Sequence, residues 1–111
     1  MRPLFHPQVE DIRLEAILHA LSDPARVALF AQIASAGCAQ TCTAVAGETC
    51  QTIPKSTLSQ HFKVLREAGL IRSERQGVEM RNTSRCVEVN ERFPGLLPAI
   101  FEARTRQAAA D

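Results

Sequence analysis

The residues best suited to chemistry lie between positions 54 and 85. Over 54–68, Leu58, Phe62 and Leu65 recur at helical spacing. Advancing about 100° per residue puts these three on one stripe, facing a core. Ser56, Gln60 and Lys63 fall on the opposite side, Thr57 and Ser59 flank them, and Lys55 opens the segment. Short hydroxyls let a helix approach a duplex closely. A Gln can pair in bidentate fashion with adenine, and a Lys can reach guanine or phosphate. That is the equipment of a helix laid in the DNA major groove. An ordinary solvated helix face has a similar composition, so a second feature is needed.

The second feature is a run of arginines. Arg72, Arg75, Arg81 and Arg85 crowd two predicted strands and their turn. Residues 54–85 hold seven Lys or Arg against three Glu, whereas the segments on either side are net acidic. The whole chain carries only +1. The positive excess is therefore concentrated, as a phosphate-binding face requires. Arg72, Arg75 and Arg81 are the wing candidates for backbone or minor-groove contact.

Four cysteines are the other chemistry-bearing group: Cys38, Cys42, Cys50 and Cys86. Cys38, Cys42 and Cys50 could supply three thiolates to a soft ion, or form a redox-sensitive disulfide. The plainer reading makes all four small, partly buried hydrophobes. No Cys-x-x-Cys and no catalytic dyad is present, so an enzyme is not expected, and neither is a cofactor or bound metal.

These groups need elements to hold them. A helix is predicted over about 9–20, apolar on more than one side. Asp23-Pro24 opens a second helix, buried through Leu29, Phe30 and Ile33 and stopped at Gly37. A short helix is placed over about 41–47. Thr52 caps the helix over about 53–68, Pro54 sits in its first turn, and Gly69 ends it. Leu70–Arg75 and Glu79–Val89 read as strands of a hairpin turned at Gln76-Gly77, a wing over about 70–89. Leu96, Leu97, Ile100 and Phe101 mark a closing helix over about 95–107. The expectation is one mainly α (α+β) domain over 1–111. It is a winged helix-turn-helix with about five helices and a two-stranded wing.

Several stretches of this chain resemble the ArsR/SmtB-type winged-helix regulators. They are ALSDPARVALFAQIA (20–34), PKSTLSQHFKVLREAGLI (54–71) and RSERQGVEMRNTSR (72–85). The resemblance spans about residues 9–101. It implies a symmetric dimer that binds operator DNA, and it makes His61 a packing and backbone-contact residue. Family members often release DNA on binding a metal or metalloid. A zinc site on the closing helix would need histidines, and none follows His61. The Cys-x3-Cys and Cys-x7-Cys steps here also depart from the tight Cys-x-Cys cluster of arsenic-sensing members.

The partners expected are therefore double-stranded DNA and a second copy of the chain, with a small effector left open. Apolar excess on the first and closing helices assigns Ile12, Leu14, Leu96, Ile100 and Phe101 to the dimer interface. No apolar run approaches the ~20 residues of a membrane span. Met1–Glu10 carries Pro3 and Pro7 and no apolar signal region, so a cytoplasmic location is expected. The alternative function is a winged-helix module for a protein partner, with no sequence-specific DNA binding. A salt-dependent shift with random duplex separates the two.

Overall fold

The computed structural model describes residues 4–36, 40–41 and 53–110. Five α-helices and three strands lie within them: α1 (Leu14–Ala20), α2 (Pro24–Ala36), β1 (Gln40–Thr41), α3 (Lys55–Glu67), β2 (Ile71–Gln76), β3 (Glu79–Ser84), α4 (Cys86–Arg92) and α5 (Leu96–Ala110). The helix expected over about 41–47, Gly37, Thr52, and Cys38, Cys42 and Cys50 lie outside the described residues.

The helix expected over 9–20 is broken. A 3-10 turn spans Val9–Asp11, and Ile12 and Arg13 are extended before α1 begins. Ile12 is the cause. Its side chain is drawn into the core against Gly69, where an added Cβ would stand 2.6 Å from Ile12 Cγ1. The Ile12 carbonyl accepts from Arg92 Nε at the end of α4. Ile12 is thus spent on this chain's own core and is removed from the expected interface residues.

α2 follows its sequence closely. The Asp23 carboxylate accepts from the Ala25 and Arg26 backbone N–H groups at 2.8 and 3.3 Å, and Pro24 takes the first helical position. Leu29, Phe30 and Ile33 are all buried. Phe30 stacks on Phe101 of α5, with centroids 5.7 Å apart. Fully burying one such side chain is worth about 1.5–3 kcal/mol.

α3 starts at Lys55, two residues later than the sequence suggests, because Pro54 is its N-cap and offers no side-chain acceptor. Gly69, at φ 89°, ends it. The Leu70 N–H returns to the Leu65 carbonyl at 3.1 Å, closing the turn through a left-handed residue that glycine adopts without strain. The same bend swings Leu70 and Ile71 into the core.

The hairpin turns on Gly77 and Val78, one residue beyond the Gln76-Gly77 position expected. Gln76 pairs with Glu79, and the ladder runs down to Ile71 opposite Ser84. Gly77 has φ 65° and Val78 does not have positive φ, the pattern of a type II′ turn. β1 adds an unforeseen third strand on β3, with Gln40 opposite Asn82 and Thr41 opposite Arg81. The order is β1-β3-β2.

The second strand does not continue to Val89. It stops at Ser84, and residues 86–92 are α4. Cys-Val-Glu-Val alternates like a strand. Arg85 overrides that pattern: its guanidinium grips Glu88 through two bonds, at 3.1 and 2.7 Å, a spacing only a helical turn allows. Val89 is then fully buried. Cys86 opens α4 instead of lying in a wing strand, and packs partly buried against the core.

Pro94 and Gly95 (φ 84°) precede α5. Its first half packs inward through Leu96, Leu97, Ile100 and Phe101, and its second half is exposed. No helix among the described residues is long and apolar enough to cross a membrane.

Candidate nucleic-acid interface

α3 divides cleanly into two faces. Phe62 and Leu65 are buried, Leu58 is half-buried, and Lys55, Ser56, Thr57, Ser59, Gln60 and Lys63 are all exposed. The structure therefore brings all six sequence-assigned residues of this helix to its solvent side. Lys55 and Lys63 have no ion-pair partner among the described residues.

His61 stands apart from them, at 8% exposure. Its Nδ1 lies 3.5 Å from Arg26 Nη1. Arg26 in turn donates from Nε to the Ala20 carbonyl at 2.7 Å and from Nη2 to the His19 carbonyl at 3.2 Å. Its Nη1 is 3.9 Å from the Asp23 carboxylate. Burial works against the Asp23 charge, yet the Arg26 and Ala25 N–H groups and the fields of His61 and Arg26 outweigh it. Asp23 is held below the usual carboxylate range. This polar chain pins α3 to α2 and fixes the angle at which the polar face is presented. Its burial makes His61 a packing residue, one of the two roles the resemblance implied.

The wing arginines are less uniform than their spacing suggested. Side chains alternate along a strand, so Arg72 and Arg75 lie on opposite faces of the hairpin. Arg81, two rungs up the ladder from the Arg72–Thr83 pair, shares the Arg72 face. Arg72 is exposed and sits 3.7 Å from Glu88. Arg81 is half-buried, 3.4 Å from Glu79, with its Nε buried and unbonded. Arg75 is exposed and has no ion pair among the described residues.

Arg85 is not a surface charge at all. It is 3% exposed, donates from Nη1 to the Pro7 carbonyl at 2.8 Å, and chelates Glu88. That hydrogen-bonded pairing holds Glu88 below the usual carboxylate range against the opposing effect of burial, helped by the charges of Arg85 and Arg72. The crowding of like charges is therefore offset within the protein by Glu79 and Glu88, and no polyanion is needed to explain it.

Sequence reasoning missed the polar cluster at the base of the hairpin. Ser73 Oγ donates to Asn82 Oδ1 at 2.7 Å, both residues are buried, and Arg66 Nη1 donates to Ser73 Oγ at 3.4 Å. The Ser73–Asn82 rung thus joins the end of α3 to both strands. A polar pair at matched hairpin positions was the available signal. Among the described residues no three His, Cys, Asp or Glu come together to hold a metal ion.

A polar-faced helix, a left-handed glycine bend and an antiparallel hairpin in direct succession define a winged helix-turn-helix protein. Comparison with known proteins agrees. A family model described as a helix-turn-helix domain matches residues 21–74. The HTH-type transcriptional regulator YceK of Bacillus subtilis (strain 168) is 43% identical over 63 residues, 57% of this chain and 61% of YceK. This chain thus spans about three fifths of that relative's length. Among solved structures, an ArsR-like transcriptional regulator from Rhodococcus sp. RHA1 is 25% identical. The match has a TM-score of 0.59 and covers 87% of this chain and 88% of the other. NolR from Sinorhizobium fredii shares the fold, with a TM-score of 0.63 at 23% identity over 93% of this chain and 96% of its own. Residues 21–74 thus carry a helix-turn-helix domain, and the chain has the winged-helix fold of the ArsR-like regulators it resembles.

Proposed function

We propose that this protein is a homodimeric transcriptional repressor that binds an inverted-repeat operator. The observation that carries the reading is the outer face of α3, where six exposed polar or cationic side chains back directly onto a buried apolar stripe. In this reading Gln60 and Ser56 address base edges, and Lys55, Thr57, Ser59 and Lys63 serve bases or phosphates. Arg75 holds the backbone from the hairpin, with Arg72 and Arg81 contributing less because Glu88 and Glu79 already engage them.

The dimer reading rests on leftover apolar surface. Leu14 is 39% and Leu18 48% exposed on α1, and Leu96, Ile100 and Phe101 of α5 are only partly covered. An isologous contact through α1 and α5 would set two α3 helices about one DNA turn, ~34 Å, apart. With DNA as its partner, the chain would act in the cytoplasm. No effector is assigned.

The test is selection from a random duplex library. Enrichment of one inverted repeat by the wild type, and of no motif by a Ser56→Ala/Gln60→Ala variant that still folds, supports the reading. Equal enrichment by both chains overturns it.

A further inference from the structure

The segment before α1 is tied at three points: to β2 of the hairpin, to the junction after β3 and to the end of α4. His6 Nε2 accepts the Ser73 backbone N–H at 3.0 Å. The Pro7 carbonyl accepts from Arg85, and the Ile12 carbonyl accepts from Arg92. The first tie has a clear backbone cause. Counting from the two-residue turn, Ser73 and Asn82 form a non-hydrogen-bonded pair, so the Ser73 N–H points off the edge of β2. His6 supplies the acceptor that this N–H lacks. Ser73 is also the residue whose hydroxyl links Asn82 of β3 and Arg66 of α3. One residue therefore joins the segment, the hairpin and the end of α3.

We infer that residues 6–12 are a strap that fixes the hairpin against α3, and that protonation of His6 releases it. Its effect on DNA rests on the function proposed above; the release itself does not.

An imidazole can accept through Nε2 only while neutral, with its proton on Nδ1. Taking a proton from solvent turns Nε2 into a donor facing another donor. The new charge would also meet guanidinium groups on every side: Arg66 from α3, Arg72 from β2 and Arg85 from the junction before α4. Glu88 of α4 answers Arg85 and Arg72 but makes no bond to His6. Burial pushes His6 below its ordinary value of 6.5; Arg72, Arg66 and Arg85 push the same way, and a hydrogen bond with the Leu4 backbone opposes them. The strapped form thus prefers neutral His6, and the released form takes up the proton more readily. The strap is complete above the ordinary value and weakens as pH falls below it.

The experiment follows the Ser73 amide and the His6 ring by NMR in the full chain between about pH 8 and 5.5, alongside duplex affinity at fixed salt. The Ser73 amide should shift with the His6 midpoint and lose about tenfold or more of its exchange protection. In His6→Ala it should be unprotected and insensitive to pH. Wild-type affinity should fall about threefold or more across the range, and that of His6→Ala should not. A Ser73 amide that ignores the His6 titration, or responds equally in His6→Ala, overturns the strap. If Ser73 follows His6 but affinity is flat, the strap does not govern the hairpin. If Ser73 follows His6 and no duplex binds at any pH, the strap stands and the DNA reading fails.

Discussion

The outer face of α3 and the hairpin beside it carry similar cationic side chains, yet the protein treats them differently. On α3, Lys55 and Lys63 point to solvent with no carboxylate among the described residues to answer them. In and below the hairpin, Arg72, Arg81 and Arg85 each meet a glutamate, and Arg85 is buried. Charge density along a sequence therefore counts cations without saying which are free. Partners decide that, and partners are set by the fold.

Removing Arg85 should break the comparison most sharply. Arg85→Ala leaves Pro7 and a part-buried Glu88 without their donor and should cost about 3 kcal/mol in urea unfolding. Arg75→Ala, near the tip of the hairpin, should stay within about 0.5 kcal/mol of wild type. Equal stability of the two variants would show that Arg85 is not structural.

Gly69→Ala tests the bend that delivers the hairpin to α3. The added Cβ would strike Ile12, and φ 89° disfavours any side chain. A loss of about 2 kcal/mol is expected in thermal unfolding. No loss would mean that the Ile12 packing is dispensable.

Acid should act at Glu88 and spare α3's outer face. Because its carboxyl titrates below the ordinary range, the stability it contributes is present at neutral pH and is lost as pH falls through its lowered folded value. Glu88→Gln should flatten that part of the stability–pH curve. An unchanged acid limb would remove the ion pair from the account. Capping is the smallest effect: Asp23→Ala should cost about 1 kcal/mol, read from the unfolding midpoint.

How much of this was legible beforehand follows the same divide. The α3 stripe, the Asp23 cap, the Gly69 stop and the two paired strands rest on local patterns, and local patterns survive folding. The break at Ile12 did not show, because it depends on Ile12 packing against Gly69, far along the chain. α4 did not show, because Cys-Val-Glu-Val alternates and only the Arg85–Glu88 contact reveals a helix. Ser73, Asn82 and His6 look like ordinary surface polar residues until the hairpin register brings them together. The polar outer face of α3 was readable for a physical reason: it makes few contacts, so nothing distant could overrule its pattern.

In the proposed function α3 reads sequence, whereas Arg75, which has no ion pair among the described residues, reads only charge. Salt-titrated binding isotherms of wild type, Gln60→Ala and Arg75→Ala, on the selected duplex and on random DNA, test it most directly. Gln60→Ala should lose about 1–3 kcal/mol on the selected duplex alone, with an unchanged salt slope. Arg75→Ala should weaken both duplexes and lower the slope by about one. Equal losses on both duplexes for Gln60→Ala, or wild-type binding by both variants, would contradict the account.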